Sequence, residues 1–259
     1  MSTIEKLLEK QKRELIPVTL GSLAGQAGKN GRIDQRIVTY HKSDVLIVEH
    51  FRQIKRILQA YRETTQASLF TFTSAMRGEG TSTLLVNLAA TFRNGSACLV
   101  DANLVQPSIH RLLGISNEIG LANVLAGTND LRDALSKCPS TEISVLTAGK
   151  DKNVHPEAIA SQGMHNILLE LKKDFEYVLI DAPPILVTSD SVTLCAMVDG
   201  VVLVVDYQRG KKKPVKRALE MLHSCNVLGF ILCKDTNIAY DYIGLSARDK
   251  KWIQDGVGK

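Results

Sequence analysis

A glycine-rich stretch from Thr73 to Thr83 carries the residue types best suited to bind a phosphate group. It lies between an apolar run typical of a strand, residues 67–72, and a helical pattern that begins near Leu84. Backbone N–H groups converge where such a turn enters a helix, and the helix dipole places positive charge at the same point. Compared with the phosphate-binding pattern G-x-x-x-x-G-K-[ST], Ala75 replaces the first glycine and Thr81 replaces the lysine. The predicted phosphate-contacting residues are Arg77, Gly78, Glu79, Gly80, Thr81, Ser82 and Thr83.

Two apolar runs further along the chain each end in an aspartate. Residues 98–100 lead into Asp101, and residues 178–180 lead into Asp181. Mg²⁺ prefers one or two carboxylates together with phosphate oxygens, water and a loop hydroxyl, for which Ser82 is placed. Either aspartate alone is equally typical of a strand that turns into a loop. Both together, in this order after the glycine-rich stretch, favour a site for nucleotide-bound Mg²⁺ made of Ser82, Asp101 and Asp181.

Other chemistry is less well supported by the sequence. The six histidines are scattered, and the five cysteines have no metal or disulfide spacing, which indicates reduced thiols of a cytoplasmic protein. The longest uninterrupted apolar run, residues 200–205, is far shorter than the roughly 20 residues that cross a bilayer. We therefore expect a cytoplasmic protein that reaches a membrane only through a partner.

The net charge of +5 is mildly basic, and part of it is concentrated in Lys211 to Lys213 with Lys216 and Arg217. Aromatic residues make up 5% of the chain and do not alternate with basic runs, so binding to nucleic acid is not favoured. The basic cluster is either a solvated surface or a contact for an acidic segment of a partner.

Strand, turn and helix patterns alternate from about residue 67 onward. The predicted strands are 67–73, 97–101, 143–147, 176–180, 200–206 and 227–233, and the predicted helices are 82–93, 108–113, 162–174, 189–196 and 214–224. The strands are apolar throughout instead of alternating, as parallel strands covered on both faces require. The expected fold is α/β, a doubly wound and mostly parallel sheet with its ligand at the carboxyl ends of the strands.

The first part of the chain has a different character. A helix capped by Ser2 and running to about Arg13 is predicted as a docking arm, and the glycine-containing residues 16–34 as a flexible linker. A second helix is expected from Ser43 to about Arg62. The predicted organisation is an arm and linker over 1–42, one domain over 43–234 and a tail over 235–259.

Taken in order, these motifs resemble the bacterial tyrosine kinases of capsule and exopolysaccharide systems, which are P-loop proteins related to the chromosome-partitioning ATPases. The resemblance spans about residues 45–234. The first residues of the chain, Met1 to Lys6, are also similar to the N-terminal arm of the family branch found in exosortase-linked polysaccharide clusters. The matching stretches are 73–83, 87–89, 100–102, 107–114, 120–127, 146–149, 156–161, 174–184 and 199–205.

The resemblance implies a set of functional residues and partners. It implies binding of ATP or ADP with Mg²⁺, homo-oligomers joined through Glu49, Arg52 and Lys55, and tail phospho-acceptors at Tyr240 and Tyr242. It also implies a location at the inner membrane, held there by a membrane polysaccharide co-polymerase, with an intact tyrosine-kinase paralogue as a further candidate partner.

Several chemistry-bearing positions depart from the family pattern. Thr81 stands at the lysine, Asn103 at the second aspartate of Asp-x-Asp-x-Arg, Val105 at its arginine and Cys233 at the asparagine that reads the base. The tyrosine-rich tail is reduced to two tyrosines. These losses predict a catalytically impaired, pseudokinase-like scaffold in which Asp101 and Asp181 are vestigial. The alternatives are an active autokinase that uses Arg77 in place of the lysine, and a partitioning-type ATPase switch.

Overall fold

A computed structural model describes residues 19–20, 32–41, 46–92, 95–138, 143–206 and 212–233 of the 259-residue chain. The predicted arm helix, Lys211 and the tail tyrosines Tyr240 and Tyr242 lie outside the described residues. Within the described ranges, no helix combines the length and the hydropathy that crossing a membrane requires.

In the part of the chain that the structure describes, eight strands form one sheet with the order β1-β8-β7-β2-β6-β3-β5-β4. Neighbouring strands run parallel except at the β4–β5 pair, which is antiparallel. This confirms the predicted doubly wound, mostly parallel sheet. The strands are β1 Thr19–Leu20, β2 Leu69–Ser74, β3 Ala97–Asp101, β4 Leu135–Lys137, β5 Ser144–Leu146, β6 Tyr177–Asp181, β7 Gly200–Asp206 and β8 Val227–Cys233.

Helices connect the strands, together with one 3₁₀ helix at Pro156–Ala160. The described helices are α1 Val38–His41, α2 Leu46–Thr65, α3 Thr81–Ala89, α4 Ile109–Leu113, α5 Leu121–Leu125, α6 Leu131–Ala134, α7 Gln162–Asp174, α8 Asp190–Ala196 and α9 Lys212–Met221. The second predicted helix, expected from Ser43, corresponds to α2.

The central strands are buried on both faces, and their side chains point alternately into cores on opposite sides of the sheet. Leu99 and Leu179 pack into the core that α2 and α3 cover. Their neighbours Val100 and Ile180 pack into the core that α7 covers. This alternation explains why the strands are apolar at consecutive positions, since each side chain has a helix above or below it.

The described parts of the segment predicted as a flexible linker contact the domain. Thr19 and Leu20 form a short parallel strand beside Leu232 and Cys233 of β8. Asp34 is only 1% exposed, and its backbone N–H donates to the carbonyl of Leu112. Hydrogen bonds therefore hold Thr19, Leu20 and Asp34 against the domain.

The amide of Asn87 on α3 holds residues 36–39 against the domain. Its Oδ1 accepts from the backbone N–H and the hydroxyl of Thr39, each at 3.1 Å. Its Nδ2 donates to the carbonyls of Arg36 at 3.0 Å and Thr83 at 2.9 Å. Asn87 is fully buried, so its amide depends on these four partners. Residues 36–39, which precede the predicted boundary at 42/43, are therefore held against the domain.

Candidate phosphate-binding site

The glycine-rich loop joins the carboxyl end of β2 to the start of α3, as the sequence predicts. Gly78 and Gly80 have φ values of 82° and 88°, a left-handed conformation that favours glycine. A Cβ built on either residue would meet no atom within 4 Å. The glycines are thus required by the backbone conformation, and they face open space at the N-terminus of α3.

Side chains of the loop brace its backbone from within. The Ser74 hydroxyl donates to the carbonyl of Met76 at 2.8 Å, and the Met76 N–H donates to Glu79 Oε1 at 3.1 Å. The loop therefore holds its shape through hydrogen bonds that lie outside its glycines.

Thr81 is the first residue of α3 and is 8% exposed. Its hydroxyl is buried and has no hydrogen-bond partner among the described residues. Arg77, the cationic residue of the loop, is exposed. An uncharged hydroxyl therefore lies inside the loop at the position of the patterned lysine, while the arginine lies at its surface.

Asp101 and Asp181 lie side by side, since they are Cα partners at the carboxyl ends of β3 and β6. Asp101 Oδ1 accepts from the N–H of Asn103 at 3.2 Å. Its Oδ2 accepts from the N–H groups of Ser108 and Ile109 at 3.0 and 3.1 Å. Asp101 thus caps the start of α4. Backbone N–H groups donate to both of its oxygens. Asp101 therefore has the structural role of stabilising the loop and the helix that follow its strand, which is common for an aspartate at a strand end.

Asp181 has a different environment. The Ser82 hydroxyl donates to its carboxylate, and the buried Oδ2 has no partner among the described residues. Burial and the neighbouring Asp101 carboxylate both raise the pKa of Asp181. Burial also raises the pKa of Asp101 to about 6, although the three backbone N–H groups oppose the shift. A cation that binds between Ser82 and Asp181 would lower this pKa again, because its positive charge favours the ionised carboxylate.

The structure reveals a second acidic cluster, formed by Glu79, Asp206 and Cys233, that the sequence reading missed as a group. Burial raises the pKa of Glu79 to about 7, and the Asp206 carboxylate adds to the shift, while N–H groups of Met76 and Asp206 oppose it. Asp206 and Cys233 are Cα partners on β7 and β8. A sequence signal existed, because Asp206 directly follows the apolar run 200–205, the same pattern that singled out Asp101 and Asp181.

Cys233 lies at the position that the resemblance assigns to the base-reading asparagine. Burial, together with the nearby carboxylates of Asp206 and Glu79, raises the pKa of its thiol to about 12. The side chain is therefore a neutral thiol, which is a weak hydrogen-bond donor and acceptor compared with an amide.

Asn103 stands at the second aspartate of the family pattern and serves its own loop. Its Oδ1 accepts from the N–H of Gln106 at 3.1 Å. Val105, at the arginine position, is 40% exposed. Neither side chain contributes a charge to the site.

The predicted oligomerisation residues are only partly brought together. Arg52 Nη1 lies 3.2 Å from Glu49 Oε2, and Arg56 Nη2 lies 2.8 Å from Glu49 Oε1. Lys55 instead donates to the carbonyl of Thr91 at 3.1 Å and lies 5.0 Å from the Phe92 ring centroid. The exposed charged group on α2 thus consists of Glu49, Arg52 and Arg56.

The site fits a Mg²⁺-bound phosphate chain in several respects. Gly78 and Gly80 leave the front of the loop open, and Ser82 lies beside Asp181. The buried oxygens Thr81 Oγ1 and Asp181 Oδ2 lack partners among the described residues, and such atoms are rarely left unsatisfied without a ligand or water. Ser82 and Asp181 would hold the metal, which would supply positive charge to the phosphates. A lysine that would supplement that charge is replaced by Thr81.

A glycine-rich loop between a central parallel strand and a helix, with a serine and a strand-end aspartate beside it, defines the class of P-loop nucleoside triphosphatases. Residues 67–239 match the family model described as ParA: NUBPL iron-transfer P-loop NTPase.

Curated relatives narrow the class. The chain is 28% identical over 214 residues to the tyrosine-protein kinase YwqD of Bacillus subtilis (strain 168), covering 81% of this chain and 90% of that protein. It is 30% identical over 214 residues to the tyrosine-protein kinase CpsD of Streptococcus agalactiae, covering 78% and 91%. The chain therefore belongs to the bacterial tyrosine-kinase family of ParA-like P-loop NTPases.

Solved structures agree on the fold. The kinase domain of the Escherichia coli tyrosine kinase ETK superimposes with a TM-score of 0.77 at 22% identity, covering 90% of this chain and 94% of that one. The septum site-determining protein MinD of Pyrococcus horikoshii OT3, complexed with Mg-ADP, gives a TM-score of 0.56 at 23% identity over 73% of this chain and 76% of that one.

Proposed function

We propose that this chain is a catalytically impaired member of the family that acts as a regulatory or scaffold subunit in exopolysaccharide or capsule biosynthesis and export. It binds ATP or ADP with Mg²⁺ weakly and transfers phosphate poorly. The observation that carries the proposal is the buried, uncharged Thr81 at the lysine position.

Electrostatics explain why this substitution matters. Phosphoryl transfer depends almost wholly on positioning and on charge that stabilises the phosphate oxygens. Loss of one such charge costs several kcal/mol, on the order of a 10³-fold decrease in rate. The neutral Cys233, and the loop-bonded Asn103 with the exposed Val105 beside it, support the same interpretation.

The proposed setting follows the family resemblance. The protein would act in the cytoplasm at the inner membrane, held by a membrane polysaccharide co-polymerase in an exosortase-linked system. It would form homo-oligomers through α2 and modulate an intact tyrosine-kinase paralogue. Nucleic acid is not among its expected partners.

Calorimetric titration of the full chain with Mg-ATP and Mg-ADP tests the binding half of the proposal. We expect weak binding of both nucleotides to the parent chain and no detectable binding to Asp181→Asn. The variant removes the carboxylate that would hold the metal beside Ser82. Glu157→Gln, an isosteric change of an exposed acid, is the matched control.

Incubation with labelled ATP followed by phosphopeptide mapping tests the catalytic half. We expect no phosphotyrosine at Tyr240 or Tyr242 from the purified chain. Phosphorylation that is lost in both Asp181→Asn and Arg77→Ala would contradict impairment and establish the alternative, an active autokinase in which Arg77 replaces the lysine. Two observations support this alternative: Arg77 is exposed, and the loop that carries it is open in front of α3.

A partitioning-type ATPase switch is the remaining alternative, supported by the match to the ParA family model. It requires ATP hydrolysis that anionic vesicles or DNA accelerate. Measurement of phosphate release with each of these surfaces separates it from a scaffold, for which neither surface changes the rate.

A further inference from the structure

A second concave surface lies next to the start of the phosphate-binding loop. The loop 185–189, which follows β6, and two residues of α9, Arg217 and Met221, line a groove of about 380 Å³. Ile185 is 1% exposed, whereas Leu186, Val187 and Met221 are half-buried. We call this surface the α9 groove.

The side of α9 that faces the groove carries two cations. Arg217 lines the groove, and Lys213 lies one helical turn before it on the same face; both side chains are exposed. The single acid of this helix, Glu220, lies 3.7 Å from Lys216, and Asp190 at the start of α8 is half-buried. Because the acid of α9 is paired and Asp190 is partly covered, Lys213 and Arg217 leave this side of the groove positive.

We propose that the α9 groove binds an acidic peptide segment of a partner protein that carries apolar side chains between its carboxylates. The apolar wall of the groove would receive the apolar side chains, and the cations of α9 would pair with the carboxylates at the rim. An apolar centre with a charged rim is the usual anatomy of a protein interface. The proposal does not depend on nucleotide binding or on impaired catalysis.

The shape of the surface favours a peptide over a lipid bilayer. A bilayer is contacted by apolar side chains that protrude from a basic face. Here the apolar side chains are half-buried or buried, and they line a recess. A chain with its own protruding side chains can enter such a recess, whereas the surface of a bilayer cannot.

The groove is also connected to the phosphate-binding loop. The N–H of Ile185 donates to the carbonyl of Ser74 at 2.9 Å, and the N–H of Leu186 donates to the carbonyl of Ala75 at 3.2 Å. A peptide that rests on residues 185–189 would therefore lie one hydrogen bond away from the backbone that begins the loop.

Fluorescence anisotropy with the full chain and no nucleotide tests the proposal. The probe is a short labelled peptide in which phenylalanine and leucine alternate with aspartate and glutamate. We expect saturable binding that weakens with added salt and falls roughly tenfold or more in the double variant Lys213→Glu with Arg217→Glu. The same loss is expected when serine replaces the phenylalanines and leucines of the peptide, and a smaller loss in Val187→Ser.

The matched control is Arg132→Glu with Lys173→Glu, the same charge change at two exposed positions on α6 and α7. Equal weakening in both double variants would mean non-specific charge attraction and would overturn the proposal. Absence of peptide binding would overturn it as well. So would tight binding to vesicles of phosphatidylglycerol that the α9 variant abolishes, without any binding of the peptide, because this result would assign the surface to a membrane.

Discussion

Thr81 is almost fully buried. The position where the family pattern has a lysine therefore lies inside the phosphate-binding loop, and there it holds an uncharged side chain. Nearby, Asp181 keeps an oxygen free of partners among the described residues, whereas Asp101 uses both of its oxygens to cap α4. The two aspartates look alike in the sequence but have different roles in the structure. Asp181 is thus the better candidate for a metal ligand.

Thr81→Lys restores the missing charge and separates binding from catalysis. We expect tighter binding of Mg-ADP, because the new ammonium group can reach the open space in front of Gly78 and Gly80. Kinase activity should stay absent, since Asn103 and Cys233 are unchanged. Titration and a labelled-ATP assay check both parts, with Thr81→Met as the uncharged control. Restored phosphotyrosine in this single variant would show that the other departures are harmless.

Glu79→Gln tests the acidic cluster through the pH dependence of stability. The folded protein raises the pKa of Glu79 from 4.5 to about 7, so the folded state holds a proton that the unfolded state releases. The stability associated with this proton is fully present below 4.5 and is lost as the pH rises through about 7.

Glutamine keeps the hydrogen-bond acceptor of Glu79 and carries no charge. The variant should therefore gain melting temperature relative to the parent above pH 7 and show little gain below pH 4.5. Thermal unfolding at both pH values provides the measurement. Glu157→Gln changes an exposed glutamate and should show no such difference; a gain that is the same at both pH values would contradict the raised pKa.

Among the structural elements, α3 has two functions. Its N-terminus closes the phosphate-binding loop, and its last turn holds residues 36–39 through Asn87. The same helix therefore links the segment that enters the domain to the loop that would receive a ligand.

Asn87→Ala should destabilise the domain by roughly 2 to 4 kcal/mol, because it leaves several backbone and hydroxyl groups near Thr39 and Arg36 without their partners. Denaturant unfolding measures the change in the free energy of unfolding. Asn166→Ala makes the same change at an exposed position of α7 and should cost little. Equal effects of both substitutions would mean that residues 36–39 are not held by this amide.

The sequence predicted the long elements well and the short ones poorly. Residues 97–101, 200–206 and 227–233 are strands and 162–174 is a helix, with the predicted bounds. β1 and β4 have two and three residues and exist only because a neighbouring strand pairs with them, so no local pattern marks them.

The candidate site was also predicted in part. That Asp101 and Asp181 are neighbours could be predicted, because parallel strands bring their carboxyl ends to one edge. The capping of α4 by Asp101 and the approach of Glu79 to Asp206 could not, since both depend on how loops fold back.

At the scale of the whole molecule, we expect copies of the chain to associate through α2. Glu49, Arg52 and Arg56 form an exposed charged group on this helix. Glu49→Lys should leave the melting temperature nearly unchanged, because exposed ion pairs contribute little to folding. It should shift a homo-oligomer toward monomers in sedimentation experiments. Glu118→Lys, at another exposed ion pair, should leave the assembly intact. An unchanged sedimentation profile for Glu49→Lys would remove α2 from the proposed interface.

The edge of the sheet that ends in β4 resists adding a strand from another molecule. β4 has three residues, runs antiparallel to β5 and exposes Ser136 and Lys137. A short edge strand offers little backbone to a second molecule, and pairing there would bury the charge of Lys137. In concentrated solution, intermolecular β-pairing should therefore be disfavoured at this edge of the sheet.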